Sequence, residues 1–205
     1  MGKWEKLMRC LKFYESRSIQ SLTEDKIVGF EIQNRIHLPQ EYRNFLRVFG
    51  AGRFGDFIEI YRPSSHTYHR VSEITLEWAR EYIKEYPSKD VVWDRELDDL
   101  LSHAFIFGGD DRTNYVLWDL RSYQSSDDSY DIFWLDGVDF IDDGIDYSND
   151  VVYKIGRDFY EFICNFCCGL ESYRILPDSR PPQPGEIRYE FTQYVEYVNK
   201  RDDIK

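Results

Sequence analysis

The sequence predicts a folded protein that combines amphipathic helices with a set of short antiparallel strands. Apolar residues recur at intervals of three and four in several segments, which is the spacing of one helix face. Between residues 104 and 135, three runs of β-branched and aromatic residues are separated by clusters of Asp, Gly and Ser, as in antiparallel strands. Because 42% of the 205 residues are hydrophobic and 17% are aromatic, the chain can bury a real core.

Three helices are expected before residue 50. The first has its apolar positions at Trp4, Leu7, Met8, Leu11 and Tyr14. The second runs from about Thr23 to Arg35, and its apolar stripe is either Ile27, Phe30 and Asn34 or Val28, Ile32 and Ile36. The third has Pro39 in its first turn and apolar positions at Tyr42, Phe45, Leu46 and Phe49, and Gly50 is placed to end it.

The rest of the chain alternates between strands and helices. A strand over Phe57–Tyr61 ends near Pro63, and a helix halted by Pro87 has its apolar positions at Ile74, Trp78, Tyr82, Ile83 and Tyr86. The three β-rich runs follow, and a meander is their simplest topology. A further helix, expected to cover one sheet face, repeats Phe159, Phe162, Ile163, Phe166, Cys167 and Leu170. After a Pro-rich connector, Ile187, Tyr189 and Phe191 alternate as in a strand.

Negative charge is concentrated in one third of the chain. The whole protein has a formal net charge of -12, and residues 90–150 alone contain 17 acidic and 3 basic side chains. These acids are nearly all Asp, which favours turns over helix interiors, so we expect them in loops between strands. The charge argues against nucleic acid or an anionic membrane as a partner. No apolar run approaches the roughly 18 residues of a membrane span, and the N-terminus has no apolar leader, so the cytoplasm is expected.

Two short motifs match cofactor or metal signatures but have a structural explanation. Gly50–Gly55 matches G-x-G-x-x-G, yet it follows a helix and precedes a strand, the reverse of the dinucleotide-binding order. Its glycines are better explained by a helix stop and a tight turn. Cys164–Cys167 matches C-x-x-C, but it lies in mid-helix without a second pair of ligands, so core packing is favoured. The four cysteines are expected to be thiols.

The remaining candidate ligands form no recognisable site. His66 and His69 lie in a polar loop without a third ligand, and His37 and His103 are isolated. A calcium-attracting loop is suggested by Asp136, Asp139, Asp142, Asp143 and Asp146. Their spacing is not that of an EF-hand, so a solvated acidic face explains them better. No catalytic triad or placed acid–base pair is evident, and we expect no enzyme activity, no cofactor and no metal.

Several segments, taken in order, resemble a known family. Phe30-Glu31, followed by Leu38-Pro39-Gln40-Glu41-Tyr42-Arg43-Asn44-Phe45-Leu46, is similar to the N-terminal signature of the SUKH superfamily. The resemblance continues through Phe57–Tyr61, Phe105–Asp111 and Tyr115–Leu120, and it ends in a Phe-x-x-Phe helix at Asp158–Ile163. About residues 23–170 are covered. The family often has Asn-Gly-Gly after the second helix, where this chain has Phe49-Gly50-Ala51-Gly52.

This resemblance implies an α+β fold, with a curved, mainly antiparallel sheet and helices packed on it. The chain then divides into an N-terminal helical extension (1–22), a SUKH-like domain (23–176), and a Pro-rich connector with a C-terminal extension (177–205). The superfamily includes many bacterial toxin-immunity proteins, so the resemblance implies a non-catalytic protein that neutralises a cognate toxin. The alternative is an intracellular regulatory scaffold like the family's fungal cell-wall regulator. A metal-dependent hydrolase built on the Asp loops is a third, less favoured hypothesis.

A toxin partner is expected to be basic. Many such toxins are nucleases, which present cationic surfaces to phosphates, so an acidic inhibitor would be steered to them. The candidate partner-binding residues are Asp110, Asp111, Asp127, Asp128, Tyr130, Trp134, Asp136, Asp139, Asp142, Asp143 and Asp146. Tyr130, Trp134 and the nearby Tyr147 are either anchors of the interface or part of the core. The oligomeric state is left open.

Overall fold

A computed structural model describes the greater part of the chain. The described residues are 2–15, 23–63, 76–85, 91–110, 114–136, 151–176 and 189–194. Several predicted features lie outside these ranges: the loop with His66 and His69, both ends of the helix predicted over 74–86, the Pro-rich connector and Ile187.

The described residues form helices and strands in mixed order. The helices are α1 (Lys3–Cys10), α2 (Glu24–Asn34), α3 (Gln40–Val48), α4 (76–85), α5 (Val91–Ser102), α6 (Phe159–Glu161) and α7 (Ser172–Ile175). A π-helix over Phe162–Cys167 continues α6 directly. The strands are β1 (Lys12–Tyr14), β2 (Gly52–Phe54), β3 (Ile58–Ile60), β4 (Ala104–Gly109), β5 (Tyr115–Gln124), β6 (Ser129–Leu135), β7 (Val152–Gly156) and β8 (Glu190–Gln193).

The eight strands of the described residues join one sheet in the order β1-β8-β2-β3-β4-β5-β6-β7. β1 and β8 pair in parallel, and the other neighbours pair antiparallel. β3 to β7 form a consecutive antiparallel run, which confirms the predicted meander and lengthens it by one strand at each end. The predicted α+β class with a mainly antiparallel sheet is thus confirmed.

One face of the sheet carries an aromatic core under α1, α2, α3 and the α6/π-helix segment. Phe159 at the start of α6 is 3% exposed, and its ring centroid lies 5.3 Å from that of Tyr42 and 5.6 Å from that of Phe45. The ring centroid of Trp4 in α1 lies 5.4 Å from that of Phe45 and 4.8 Å from that of Tyr160. Aromatic pairs at these spacings stabilise a core beyond the area that they bury. The N-terminal helix is therefore part of the main core.

The other sheet face is covered over β4, β5 and β6 by α4 and α5. The buried helix residues on this side are Ala79, Ile83, Leu97, Leu100 and Leu101. They pack on Ile106, Leu117 and Leu135 of the strands. Leu117 belongs to this cluster while its neighbours Val116 and Trp118 belong to the aromatic core, as the alternation of a strand requires. This arrangement holds the middle of the meander between two helical layers.

Local sequence explains α2 and α3. Pro39 is the N-cap of α3, one residue before the predicted first turn, and Gly50 has φ of 72°, a left-handed conformation that suits glycine, so the predicted stop is confirmed and the start is correct to within one residue. In α2, Ile27 is fully buried, whereas Val28 and Ile32 are 40% and 74% exposed. Within α2, the first of the two alternative stripes therefore faces the core, while Ile36 of the second stripe is buried beyond the end of the helix.

Three elements differ from the sequence prediction. α1 ends at Cys10 instead of continuing to Tyr14, because the chain turns into β1 and pairs with β8. β2 lies inside the glycine stretch, where a Cβ on Gly52 would stand 2.4 Å from the carbonyl oxygen of Thr192 on the neighbouring strand. Strand pairing, in addition to the helix stop, thus requires glycine there. α5 was not expected, since its Asp content favoured a loop.

The sheet includes strands from both predicted extensions. β1 belongs to residues 1–22 and β8 to residues 177–205, and β8 pairs with β1 on one side and β2 on the other. Among the described residues, no helix combines the length and apolar character needed to span a bilayer.

Candidate partner-binding surface

The meander divides the predicted binding residues between two ends of the sheet, because alternate connections of antiparallel strands lie at the same end. Asp110 begins the β4–β5 connection, and Asp136 and Val151 flank the β6–β7 connection; the Asp136 amide donates to the Val151 carbonyl at 2.8 Å. We call this end, marked by Asp110, Asp136 and Val151, the acidic end. Asp127 and Asp128 lie at the opposite end, in the β5–β6 turn.

Part of the predicted set lies outside the described residues and stays a prediction. These residues all belong to the two connections of the acidic end: Asp111, Asp139, Asp142, Asp143, Asp146 and the neighbouring Tyr147.

Asp128 is committed to contacts within the protein. It has φ of 49°, and its Oδ1 accepts hydrogen bonds from His37 Nε2 at 2.7 Å and from the Tyr123 hydroxyl at 2.9 Å. Its Oδ2 accepts the backbone amide of Gln40 at 2.7 Å, so Asp128 caps α3 from a distant part of the sequence. Burial raises the pKa of Asp128, but these hydrogen bonds outweigh it and hold the pKa below its ordinary value.

Asp127 is paired with Arg157, which follows β7. Arg157 Nε donates to Asp127 Oδ2 at 3.1 Å, and Nη1 donates to Asp131 Oδ1 at 2.8 Å. Its Nη2 donates to the carbonyls of Ser122 and Ser129, on the two strands of the hairpin. The guanidinium of Arg157 therefore balances the charges of Asp127 and Asp131 and fixes the base of the β5–β6 turn.

Asp110 organises its own connection. Its Oδ1 accepts the Asn114 amide at 3.0 Å and its Oδ2 accepts the Asn114 side-chain amide at 2.8 Å, while the Asp110 amide donates to the Asn114 carbonyl. This is the local turn chemistry for which Asp is favoured. The carboxylate of Asp110 is thus used to close the loop.

The remaining described members of the set are buried. Tyr130 is 4% exposed and Trp134 is 1% exposed; Trp134 stacks on Phe57, and the Tyr130 hydroxyl donates to the His37 carbonyl. Asp136 is fully buried. For Tyr130 and Trp134 the structure decides the open choice between interface and core in favour of the core, and it corrects the expectation that these two side chains and that of Asp136 are available to a partner.

Acids elsewhere in the acidic third are also paired, and they do not all lie in loops. Asp98 in α5 accepts from Arg80 at 2.8 Å, and Asp131 in β6 accepts from Lys154 at 2.7 Å. Asp119 in β5 accepts three hydrogen bonds from Arg121, which outweigh burial and lower its pKa. The expectation of loops is wrong for these acids, because ion pairs and helix or strand packing override the turn preference of Asp.

The other motifs show no ligand arrangement in the described residues. Cys167 and Cys168 are buried, and burial raises the pKa of both thiols, that of Cys168 to about 12, so neither is a reactive thiolate. Within the part of the chain that the structure describes, no group of three or more His, Cys, Asp or Glu side chains could hold a metal ion.

Sequence reasoning missed two residues that organise the turn end. Arg157 reaches partners on β5 and β6, and His37 reaches Asp128, which is 91 positions away in the sequence. No periodic pattern or short motif marks such contacts, since the sheet alone brings the partners together. Only the Asp-rich turn itself was visible in the sequence.

The protein has an α+β fold in which α2 and α3 precede an antiparallel meander and a Phe-rich helix follows it. Residues 21–165 match the model of the SMI1 / KNR4 family (SUKH-1). The chain therefore belongs to this family, which confirms the resemblance. Proteins of the family are generally non-catalytic and often bind partner proteins. No curated protein and no solved structure matches the chain.

Proposed function

We propose that this protein is a cytoplasmic immunity protein, which binds a cognate bacterial toxin and blocks it without chemical change. Family membership supports the general role, because SUKH proteins often act through partner proteins. The concentration of acidic residues in the sequence 137–150, between two residues at the acidic end of the sheet, supports the mode of binding.

The observation that carries the proposal is the internal use of the described acids. Asp127, Asp128 and Asp110 are each held by hydrogen bonds within the protein, and Asp136 is buried. An acid whose charge is balanced by a neighbouring cation, as that of Asp127 is by Arg157, adds less to the field that attracts a basic partner. Residues 137–150 contain five acidic and no basic residues, and the residues that flank this segment, Asp136 and Val151, are fixed at the acidic end by a backbone hydrogen bond.

This segment suits a basic partner. Charge complementarity accelerates association and rejects acidic competitors, and a nuclease must expose cations where it holds phosphates. We therefore propose that Asp139, Asp142, Asp143 and Asp146 supply the main electrostatic contact, with Asp111 on the adjacent connection.

Growth rescue tests the proposal. The reading frame next to the gene for this protein is expressed in a bacterial host, alone and together with this protein. We expect the neighbour to arrest growth alone and this protein to restore it. A neighbour that is harmless, or arrest that co-expression does not relieve, would contradict the proposed function.

A matched pair of variants tests the surface. One neutralises Asp139, Asp142, Asp143 and Asp146 to Asn; the control neutralises the exposed helix residues Glu77, Glu81, Glu85 and Glu96 to Gln. Both lose four negative charges. We expect rescue to weaken only in the first variant, and equal weakening would attribute binding to net charge instead of this surface.

The second candidate is an intracellular regulatory scaffold, which the same family match supports equally at the family level. Purification from the native host separates the two. A single small basic protein in stoichiometric complex favours immunity, whereas a kinase or cell-wall factor favours the scaffold.

A further inference from the structure

His37 joins parts of the fold that are distant in sequence. Its Nε2 lies 2.7 Å from Asp128 Oδ1 in the β5–β6 turn, and its Nδ1 lies 3.6 Å from Glu31 Oε1 in α2. The ring packs edge-on against Tyr123 of β5 at 5.2 Å, and the His37 carbonyl accepts the Tyr130 hydroxyl of β6. The imidazole is thus held between two carboxylates, although 46% of its side chain is exposed.

The same Asp128 carboxylate supports the start of α3. The Gln40 amide, which donates to its Oδ2, is one of the four amides at a helix start that have no partner within the helix. Pro39, the N-cap residue, makes no side-chain hydrogen bond to these amides. His37 and the start of α3 therefore share one acceptor group.

We propose that these residues form a pH-sensitive latch, in which protonation of His37 tightens the contact between the β5–β6 turn and the start of α3. We define the latch by His37, Glu31, Asp128 and Gln40. A neutral imidazole that donates from Nε2 to Asp128 presents a lone pair to Glu31. With a second proton, both ring nitrogens donate and each faces a carboxylate. The latch is independent of the proposed function.

The other charged groups near His37 set the size of the effect. Arg43 of α3 binds the same Oε1 of Glu31 and reduces its pull on the imidazole, while Asp127 in the turn is paired with Arg157. Asp128 is therefore the main partner of the protonated ring. The hydrogen bonds of Asp128 hold its pKa below its ordinary value, so this carboxylate stays ionised at the pH values of the test. Since exposed ion pairs are weak, we expect a change of about two- to fivefold in the opening of the latch.

Hydrogen exchange of the Gln40 amide tests the proposal. The exchange rate of this amide is measured by NMR at pH 5.5 and 8. The intrinsic rate at each pH divided by the measured rate gives the protection. We expect protection to be about two- to fivefold higher at pH 5.5 in the wild-type protein. His37→Gln, which keeps an N–H donor but does not titrate, should remove the pH dependence. The control His103→Gln, an exposed histidine outside the latch, should retain it.

Equal protection at both pH values in the wild-type protein would overturn the proposal. The same pH dependence in His37→Gln would overturn it as well, because another group would then be responsible.

Discussion

Replacing Asp128 tests whether the turn end is a structural contact instead of a binding surface. In Asp128→Ala, α3 loses its cap, which costs about 1 kcal/mol. Loss of the His37 and Tyr123 hydrogen bonds costs about 1 kcal/mol together, because the carboxylate is 34% exposed. Ala at φ of 49° adds about 1 kcal/mol of strain. The expected loss in the free energy of unfolding is therefore about 3 kcal/mol.

Asp128→Asn provides the matched comparison. Asn tolerates the left-handed conformation and keeps one carbonyl acceptor, so we expect a loss of about 1 kcal/mol. Asp127→Asn removes only an ion pair with Arg157 at a more exposed position, so it should lower stability less than either Asp128 variant. The free energy of unfolding of the three variants is measured by urea unfolding with tryptophan fluorescence as the signal. Equal dependence of this free energy on urea concentration would exclude a change in the denatured state. A loss below about 1 kcal/mol in Asp128→Ala would refute the reasoning from these contacts.

Three further predictions follow from packing, charge and burial. Trp4→Ala should lower the free energy of unfolding by about 3–5 kcal/mol, measured by urea unfolding, because Trp4 is 3% exposed in the aromatic core. Stability should fall as pH drops below about 4, since the pKa of Asp119 in the folded protein lies below its ordinary value of 3.8, and Asp119→Asn should flatten this dependence in acid titrations. A thiol reagent should label Cys10 in the native protein, and Cys167 and Cys168 only after unfolding, as mass spectrometry of labelled peptides would show.

These three predictions have distinct failures. If Trp4→Ala is as stable as the wild-type protein, the conclusion that α1 is part of the core is wrong. Equal acid sensitivity in Asp119→Asn would exclude Asp119 as a source of the pH dependence. Labelling of Cys168 in the native protein would contradict its burial.

Local signals predicted the elements whose stability is local. α3 was identified from Pro39 at its start, the apolar spacing between Tyr42 and Phe49, and Gly50 at its end. The meander was identified from the β-rich runs. α5 was missed because Asp98 and Asp99 disfavour a helix locally, while Leu97, Leu100 and Leu101 bury an apolar face against the sheet. Tertiary burial outweighed propensity there.

The binding surface was less predictable because charge in a sequence does not reveal its partners. Nothing in the sequence around Asp127 indicates its partner Arg157, a residue that only the β6–β7 pairing brings near. The amphipathic spacing likewise could not separate the two stripes of α2. The sheet register decides which acids are used internally, and register depends on contacts between distant residues.

The association rate with the toxin tests the central claim most directly. Stopped-flow binding at low and high salt compares the wild-type protein with the variant that replaces Asp139, Asp142, Asp143 and Asp146 by Asn. We expect the variant to associate about tenfold more slowly at low salt and to lose most of its salt dependence, while the four-glutamate control behaves like the wild type. Equal rates and equal salt dependence in all three proteins would contradict binding through the acidic end.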